Sequence, residues 1–494
     1  MESTSTEDCN SSVPSALFVF SIVHYYREML PVAQYFRDQG WQICVTIGWV
    51  GEGADAAVAD CERHGFVVDH QPTALCYGGE TADYLDDAWP NVSLSMWERL
   101  RRFLLWPMAH KRNRLGMLKP LWWSKDYAHD LLERHQPNVV FSGPYQCCGK
   151  VDNAISLACR QLGIRNDCLP VFEHLGEQNS VEGRFDNVEN GMLPKTLVKR
   201  KSLFHFLLGR LFRDWTRTRR GWTIFCWNPR LMFYAWLEGL LEPGPWQKPS
   251  VQFHCLFVES EISRRMLLDS NYPAEKIVLS GKPLLDQVIA DASDPRHQHV
   301  VYDELDLPHG EPFLLCNVEP SFEHCYASFE EHWDRFHGLM RCLQNSGMPV
   351  VLSLHPICDA KNYNFVERQY GVRIARQRKI VELYPHAAIV VSFCCSTNAM
   401  ADIFGRPLVI YDFVGMTKRD NPRSGQYRLP NAKIAYDTGQ LRDVIEATLA
   451  DRQPGESIET TPPHMHMHGK ACGAIFEEVR HGLGRSTSPQ RQAA

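Results

Sequence analysis

The 494-residue chain is predicted to fold as two doubly wound α/β domains with a cleft between them. Three observations carry that expectation. Short apolar runs rich in β-branched residues recur along the chain, each bounded by turn formers, as strands buried on both faces of a parallel sheet do. Segments with apolar residues at helical spacing fill the intervals, and the alternation comes as two consecutive series. The length exceeds the roughly 250–300 residues at which single cores stop growing.

The first series follows a polar leader, residues 1–14, which is expected to be flexible. Ala16–Ser21 reads as a strand, His24-Tyr25-Tyr26-Arg27-Glu28 as the loop after it, and the stretch through Asp38 as a helix, with Met29, Val32, Ala33 and Phe36 on one face and Gly40 to end it. Trp41–Ile47 is the next strand. Strands are further expected at Asn138–Ser142 and Ile164–Val171, joined by a helix over Lys150–Gly163, and the second delivers the polar cluster Phe172–Asn179. This first domain is bounded at 15–250. A second domain, 251–460, takes strands at Cys255–Val258, Ile277–Leu279, Phe313–Asn317, Val350–Leu354, Ala388–Val391 and Leu408–Tyr411. Its clearest helix, Tyr326–Asn345, carries a core stripe of Phe329, Trp333, Phe336, Leu339, Met340 and Leu343. Residues 461–494 read as a linker with alternating histidines (His464, His466, His468), a short helix near Ala471–Val479 and a flexible tail; the histidines lack acidic or cysteine partners nearby and are read as loop.

Two segments break the pattern. Residues 97–125 and 195–236 interleave Arg and Lys with Trp, Phe and Leu; Arg217, Arg219 and Arg220 are the cations expected to meet a membrane. This is the composition of an interfacial helix on an anionic membrane, and equally of basic helices packed on the first domain.

Composition narrows the function classes. A formal charge of −6 argues against nucleic acid as a partner. The 17 cysteines lack CxxC spacing and read as reduced thiols. The leader lacks a basic n-region followed by an apolar stretch, and no window approaches about 18 apolar residues. A cytoplasmic protein is expected, with peripheral attachment to the cytoplasmic membrane if the basic segments act as anchors.

Functional loops of parallel sheets lie at the strand C-termini. The run Val350–Leu354 delivers His355-Pro356 there, and Ala388–Val391 delivers Ser396-Thr397 at a helix start, where hydroxyls and free N–H groups suit a phosphate. Lys282 can add positive charge, and Glu319, after another strand, can meet a base or ribose. Each has a plainer reading: a turn device for His355, a helix cap for Ser396 and Thr397, a solvated surface residue for Lys282.

Motif order adds a resemblance. Asn271-Tyr272-Pro273-Ala274-Glu275-Lys276-Ile277 running to Gly281-Lys282-Pro283 resembles the entry to the C-terminal domain of GT-B glycosyltransferases. His355-Pro356 is similar to the His-Pro motif of bacterial sialyltransferases, capsule Kdo transferases and teichoic acid glycerophosphotransferases. The segment from Ser392 to Ile410, with Gly405-Arg406-Pro407, resembles the superfamily's donor-phosphate element, with Asp402 where relatives carry a longer Glu. The resemblance covers roughly Cys255 to Phe413. It implies a GT-B fold and metal-independent transfer of a sugar, or a related phospho-alcohol, from a nucleotide-activated donor to a glycan or lipid-linked acceptor. The donor is substrate, so no cofactor is implied. Donor contacts would fall to Lys282, Glu319, Ser321, His355, Pro356, Ser396, Thr397 and Asp402. His355 would meet the leaving phosphate, and the acceptor-side base would come from Glu173, His174, Glu177, His24 or Glu28. Nucleotide-sugar 2-epimerases share the architecture, but their G-x-R-P-E opening is replaced here by His24–Glu28. A degenerate scaffold that only binds is the non-enzymatic alternative.

Overall fold

A computed structural model of the chain describes residues 13–49, 52–70, 93–109, 118–143, 151–170, 181, 185, 197–198, 203–219, 222–227, 229–241, 246, 253–292, 294–318, 320–322, 327–355, 358–376, 378–395, 397–418, 429, 432–450 and 469–486. The strands are β1 (Ser15–Phe20), β2 (Gln42–Ile47), β3 (Val67–His70), β4 (Val139–Ser142), β5 (Arg165–Cys168), β6 (Leu197–Val198), β7 (Thr216–Arg219), β8 (Trp222–Phe225), β9 (Cys255–Val258), β10 (Ile277–Leu279), β11 (Phe313–Val318), β12 (Val350–Leu354), β13 (Arg373–Ile374), β14 (Ala387–Ser392), β15 (Leu408–Tyr411) and β16 (Ala432–Ala435). The helices are α1 (Val23–Asp38), α2 (Glu52–Arg63), α3 (Met96–Ala109), α4 (Leu118–His135), α5 (Val151–Leu162), α6 (Leu203–Leu211), α7 (Pro229–Leu237), α8 (Glu261–Asp269), α9 (Pro283–Ala292), α10 (Pro295–Glu304), α11 (Phe329–Gln344), α12 (Phe365–Tyr370), α13 (Ile380–Leu383), α14 (Asn398–Ile403), α15 (Thr438–Ala450) and α16 (Ala471–Ser486).

Two parallel sheets organise the chain. The first has the order β10-β9-β5-β4-β1-β2-β3 and the second β13-β12-β11-β14-β15-β16. Because side chains alternate along a strand, β1 feeds both faces: Leu17 and Val19 enter one core cluster, and Ala16, Phe18 and Phe20 the other. That double burial is why the strand reads as a continuous apolar run. The same alternation divides β11, with Leu314, Cys316 and Val318 on one face and Phe313 and Leu315 on the opposite one.

Several expectations need correction. His24–Glu28 is not a loop: α1 starts at Val23, because Tyr25 is fully buried and Tyr26 hydrogen-bonds Asp60 of α2. The helix ends as expected, with Gly40 at φ +84°, a conformation that favours glycine. The strands Cys255–Val258 and Ile277–Leu279, assigned to the second domain, pair instead at the edge of the first sheet, Asp167 opposite Cys255 and Leu256 opposite Ile277. The second sheet starts only at β11. Helix α9 joins the two regions: it packs on α1, while its Leu285 sits in the core below the second sheet. The segment 195–236, expected as interfacial or packed basic helices, holds α6 and most of α7 but also an antiparallel sheet of order β6-β8-β7.

The C-terminal helix returns to the first domain and runs to Ser486, past the expected Val479. Asp286 of α9 accepts hydrogen bonds from the N–H groups of Ala471 (3.1 Å) and Cys472 (2.8 Å), satisfying two donors that a helix start leaves open. Phe476 then closes edge-to-face on Phe36 with ring centres 5.0 Å apart. A Cβ on Gly482 would lie 1.7 Å from the Arg165 guanidinium, so a larger residue there requires that side chain to move.

Arg165 donates to Asp167 at 2.7 Å, and Asp167 is fully buried in β5. Burial outweighs the attraction of Arg165 and pushes the carboxyl up from 3.8 to about 7, with Glu478 of α16 adding to the rise. The native state therefore holds a proton that the unfolded chain releases between about pH 4 and pH 7, so this group's contribution to stability falls as pH rises through that window. Asp167→Asn removes the titration. The urea midpoint of the variant, compared with wild type from pH 4 to pH 8, should shift progressively in the variant's favour up to about pH 7 and then level off, whatever the constant offset from altering the pair.

Candidate active site

At the C-terminal edge of the second sheet, the last polar side chain of β11 reaches across to the loop after β14. Asn317 Nδ2 lies 3.3 Å from Ser392 Oγ, 3.0 Å from Cys395 Sγ and 3.3 Å from Thr397 Oγ1. Cys395 Sγ donates to Asn398 Oδ1 at 3.0 Å, and Asn398 in turn donates to the Phe393 carbonyl at 2.7 Å. Buried Tyr384 donates to Thr397 Oγ1 at 3.4 Å, and its phenol is held well above the usual range by burial, with Cys395 adding to the effect. These bonds hold the loop in one conformation at a strand end, where ligands of parallel sheets bind. Thr397 immediately precedes helix α14, which runs only six residues from Asn398 to Ile403. Thr397 thus stands at the capping position of a short helix rather than within its first turn.

His355 follows β12 and is half-buried; its carbonyl accepts from the Cys358 N–H at 2.9 Å. Strand β11 lies between β12 and β14, so His355 and the Cys395–Thr397 loop flank it on the same edge, about 10 Å apart at ordinary strand spacing. Ser321, expected to touch the donor, is instead buried: its Oγ lies 2.7 Å from His332 Nδ1, and His332 Nε2 is 3.0 Å from the Tyr363 hydroxyl. His332 therefore ties the loop after β11 to the segment that follows His355. Sequence reasoning missed His332 because it sits within the apolar face of α11. It missed Asn317 although the signal was present, the first polar residue after a buried strand run.

Across the first sheet, Lys282 follows β10 and its Nζ lies 3.6 Å from Glu28 Oε2 on α1; both are largely buried. The expected donor-side cation is therefore engaged by a first-domain carboxylate. Of His24 in α1, Asp402 in α14 and Arg219 in β7, only the backbone is described. Glu173, His174, Glu177, Glu319, Pro356, Ser396 and Arg220 lie outside the described residues. Arg217 donates to the carbonyls of Asp214 (3.1 Å) and Thr216 (2.9 Å). No group of three metal-ligating side chains occurs among the described residues.

Known structures match this arrangement over nearly its whole length. UDP-N-acetylglucosamine 2-epimerase from Rickettsia bellii aligns with 97% of this chain and 99% of its own, at 11% identity and a TM-score of 0.53. The Neisseria meningitidis UDP-GlcNAc 2-epimerase, solved with UDP-GlcNAc bound, aligns with 94% of this chain and all of its own, at 11% identity and 0.52. CalG4, the calicheamicin glycosyltransferase, aligns with 97% of this chain and all of its own, at 13% identity and 0.50. The fold is GT-B. No family model and no curated protein matches the sequence, so the likeness is one of fold.

Proposed function

We propose that the chain is a nucleotide-sugar-dependent glycosyltransferase that moves a sugar, or a related phospho-alcohol, to a glycan or lipid-linked acceptor. The observation that carries the reading is the tie from Asn317 of β11 to Cys395 and Thr397, on the sheet edge where His355 flanks the same strand from the other side. Transfer needs neutralisation of a departing phosphate, and preorganised hydrogen-bond donors at a fixed site supply that at little reorganisation cost. His355 donates to the leaving phosphate, and Ser396 and Thr397 hold the nucleotide's phosphates. The acceptor hydroxyl gives its proton to a base of the first domain, for which Glu173, His174 and His24 are the candidates.

Epimerisation of a nucleotide sugar is the second reading, favoured by the 2-epimerases among the structures of this fold. Incubation with UDP-GlcNAc and other nucleotide sugars alone separates the two. A C2 epimer formed without acceptor identifies the epimerase, and sugar transfer only with acceptor the transferase. If neither forms and no nucleotide raises the melting temperature, the chain is a binding scaffold.

The paired variant Ser396→Ala with Thr397→Val tests the phosphate contact. Nucleotide affinity, read by titration calorimetry, should weaken by about 1–3 kcal/mol. A folded double variant with unchanged affinity removes these hydroxyls from the site.

A further inference from the structure

The two basic-aromatic segments divide their charges in different ways. In the first, three cations face inward: Arg102 is buried against Asp126, and Arg101 and Lys125 pair with the buried carboxylate of Glu238, while Arg99 is exposed and donates to the Leu94 carbonyl. Apart from Arg99, the exposed side chains among the described residues of α3 are apolar. Met96, Trp97, Leu100, Phe103 and Leu104, which share one face at helical spacing, are 46–84% exposed. Helix α6 does the same with Leu203, Phe206, Leu207 and Leu211. Both helices flank the C-terminal end of α7. Arg101 of α3 donates to the Leu237 carbonyl at 2.9 Å, and Phe212, just after α6, meets Trp236 edge-to-face at 6.0 Å. Trp236 is itself half exposed. Apolar faces of this size on two neighbouring helices mark an interaction surface.

The charge beside α6 specifies what covers it. A cavity of about 550 Å³ opens between α6 and the β7–β8 hairpin, lined by Arg210, Arg213 and Arg217 with Asp214 as the opposing carboxylate. Phe225 and Thr223 line its buried side, and Phe206 lines it from the exposed apolar face. Arg217 is held in place by the carbonyls of Asp214 and Thr216 and by the Trp246 ring, 5.5 Å from its guanidinium carbon. Arg210 and Arg213 are exposed. The local excess of positive charge stands on a chain whose formal charge is −6. Guanidinium groups match phosphate oxygens in forked geometry, and 550 Å³ lies within the range of small-molecule sites, so a phosphate with its attached alcohol fits. A cationic pocket bordered by exposed Leu and Phe is complementary to a molecule that is anionic at its head and apolar behind it.

We propose that the Arg210–Arg213–Arg217 pocket binds the phosphate headgroup of an anionic membrane lipid, while the exposed faces of α6 and α3 seat in the acyl layer. The inference deepens the lipid-linked acceptor reading. It is measured independently of nucleotide binding, so either can fail alone.

The test is co-sedimentation of the full chain with phosphatidylcholine vesicles, with and without phosphatidic acid. Wild type should sediment with the anionic vesicles, and only part of that binding should be lost at high salt because the apolar faces are not screened. Arg210→Glu with Arg213→Glu should weaken vesicle binding on the order of tenfold or more, with melting temperature and nucleotide-induced thermal shift unchanged. Leu207→Ser with Phe103→Ser should abolish the salt-resistant part. Glycerol 3-phosphate in excess should fail to release the bound protein, since a free phosphate brings no acyl layer. Equal sedimentation with neutral and anionic vesicles, undiminished binding by the arginine variant, or full release by glycerol 3-phosphate overturns the proposal. Self-association through these faces, with vesicles ignored, overturns it as well.

Discussion

Arg102→Ala is expected to destabilise the first domain by about 3–5 kcal/mol. Arg102 is 8% exposed and makes two parallel bonds to Asp126, 2.6 and 2.7 Å, a third to Glu98 at 3.1 Å, and packs over the Trp122 ring at 5.5 Å. Asp126 is itself 3% exposed. Removing the guanidinium leaves a carboxylate buried without its main partner, and that penalty, rather than the net worth of the pair, sets the size of the loss. Replacing both partners with apolar residues, Arg102→Met with Asp126→Leu, should cost far less, because no charge is left behind. Urea unfolding of the two variants checks both statements. A single variant within about 1 kcal/mol of wild type would mean that water reaches the pair. The outcome also bears on the membrane inference, since α3 must be held by its inner face if its outer face is to seat in lipid.

The strands were legible because burial on both faces writes itself into the sequence as an apolar run. Cys255–Val258, Val350–Leu354 and Leu408–Tyr411 fall where the runs do. Which sheet a strand joins is not written there. Nothing in Cys-Leu-Phe-Val says that its neighbour is β5, more than eighty residues earlier, so the boundary placed at 251 separated β9 and β10 from the sheet they complete. Strands β7 and β8, Thr216-Arg217-Thr218-Arg219 and Trp222-Thr223-Ile224-Phe225, are short and carry no clean alternation of apolar and polar residues, and the density of Arg and Trp around them drew a helical reading. The site divides in the same way. The placement of His355 and Thr397 just after strands β12 and β14 was legible from the apolar runs alone. The His332 link between Ser321 and Tyr363 depends on three segments meeting in space, and a histidine inside an apolar stripe carries no local mark of it.

Turnover carries the remaining large prediction: His355→Ala should lower kcat by about 10²–10³ while moving the melting temperature little, within the proposed transferase activity. The small effect on stability follows from position. His355 is half-buried at the end of β12, outside the core cluster that Val350 and Leu352 of that strand join, and its backbone bond to Cys358 survives the substitution. The large effect on rate follows from when the side chain acts. An imidazole N–H facing the leaving phosphate gains most as charge develops on that oxygen, so its loss raises the barrier more than it weakens donor binding. The expected signature is a fall in kcat with KM for the donor changed by no more than a few fold. His355→Gln, which keeps an N–H donor on a side chain of similar reach, should recover part of the rate. Loss of donor affinity in step with kcat would instead make His355 a ground-state binding residue, and near-normal turnover in a folded variant would leave it a turn device at the strand end.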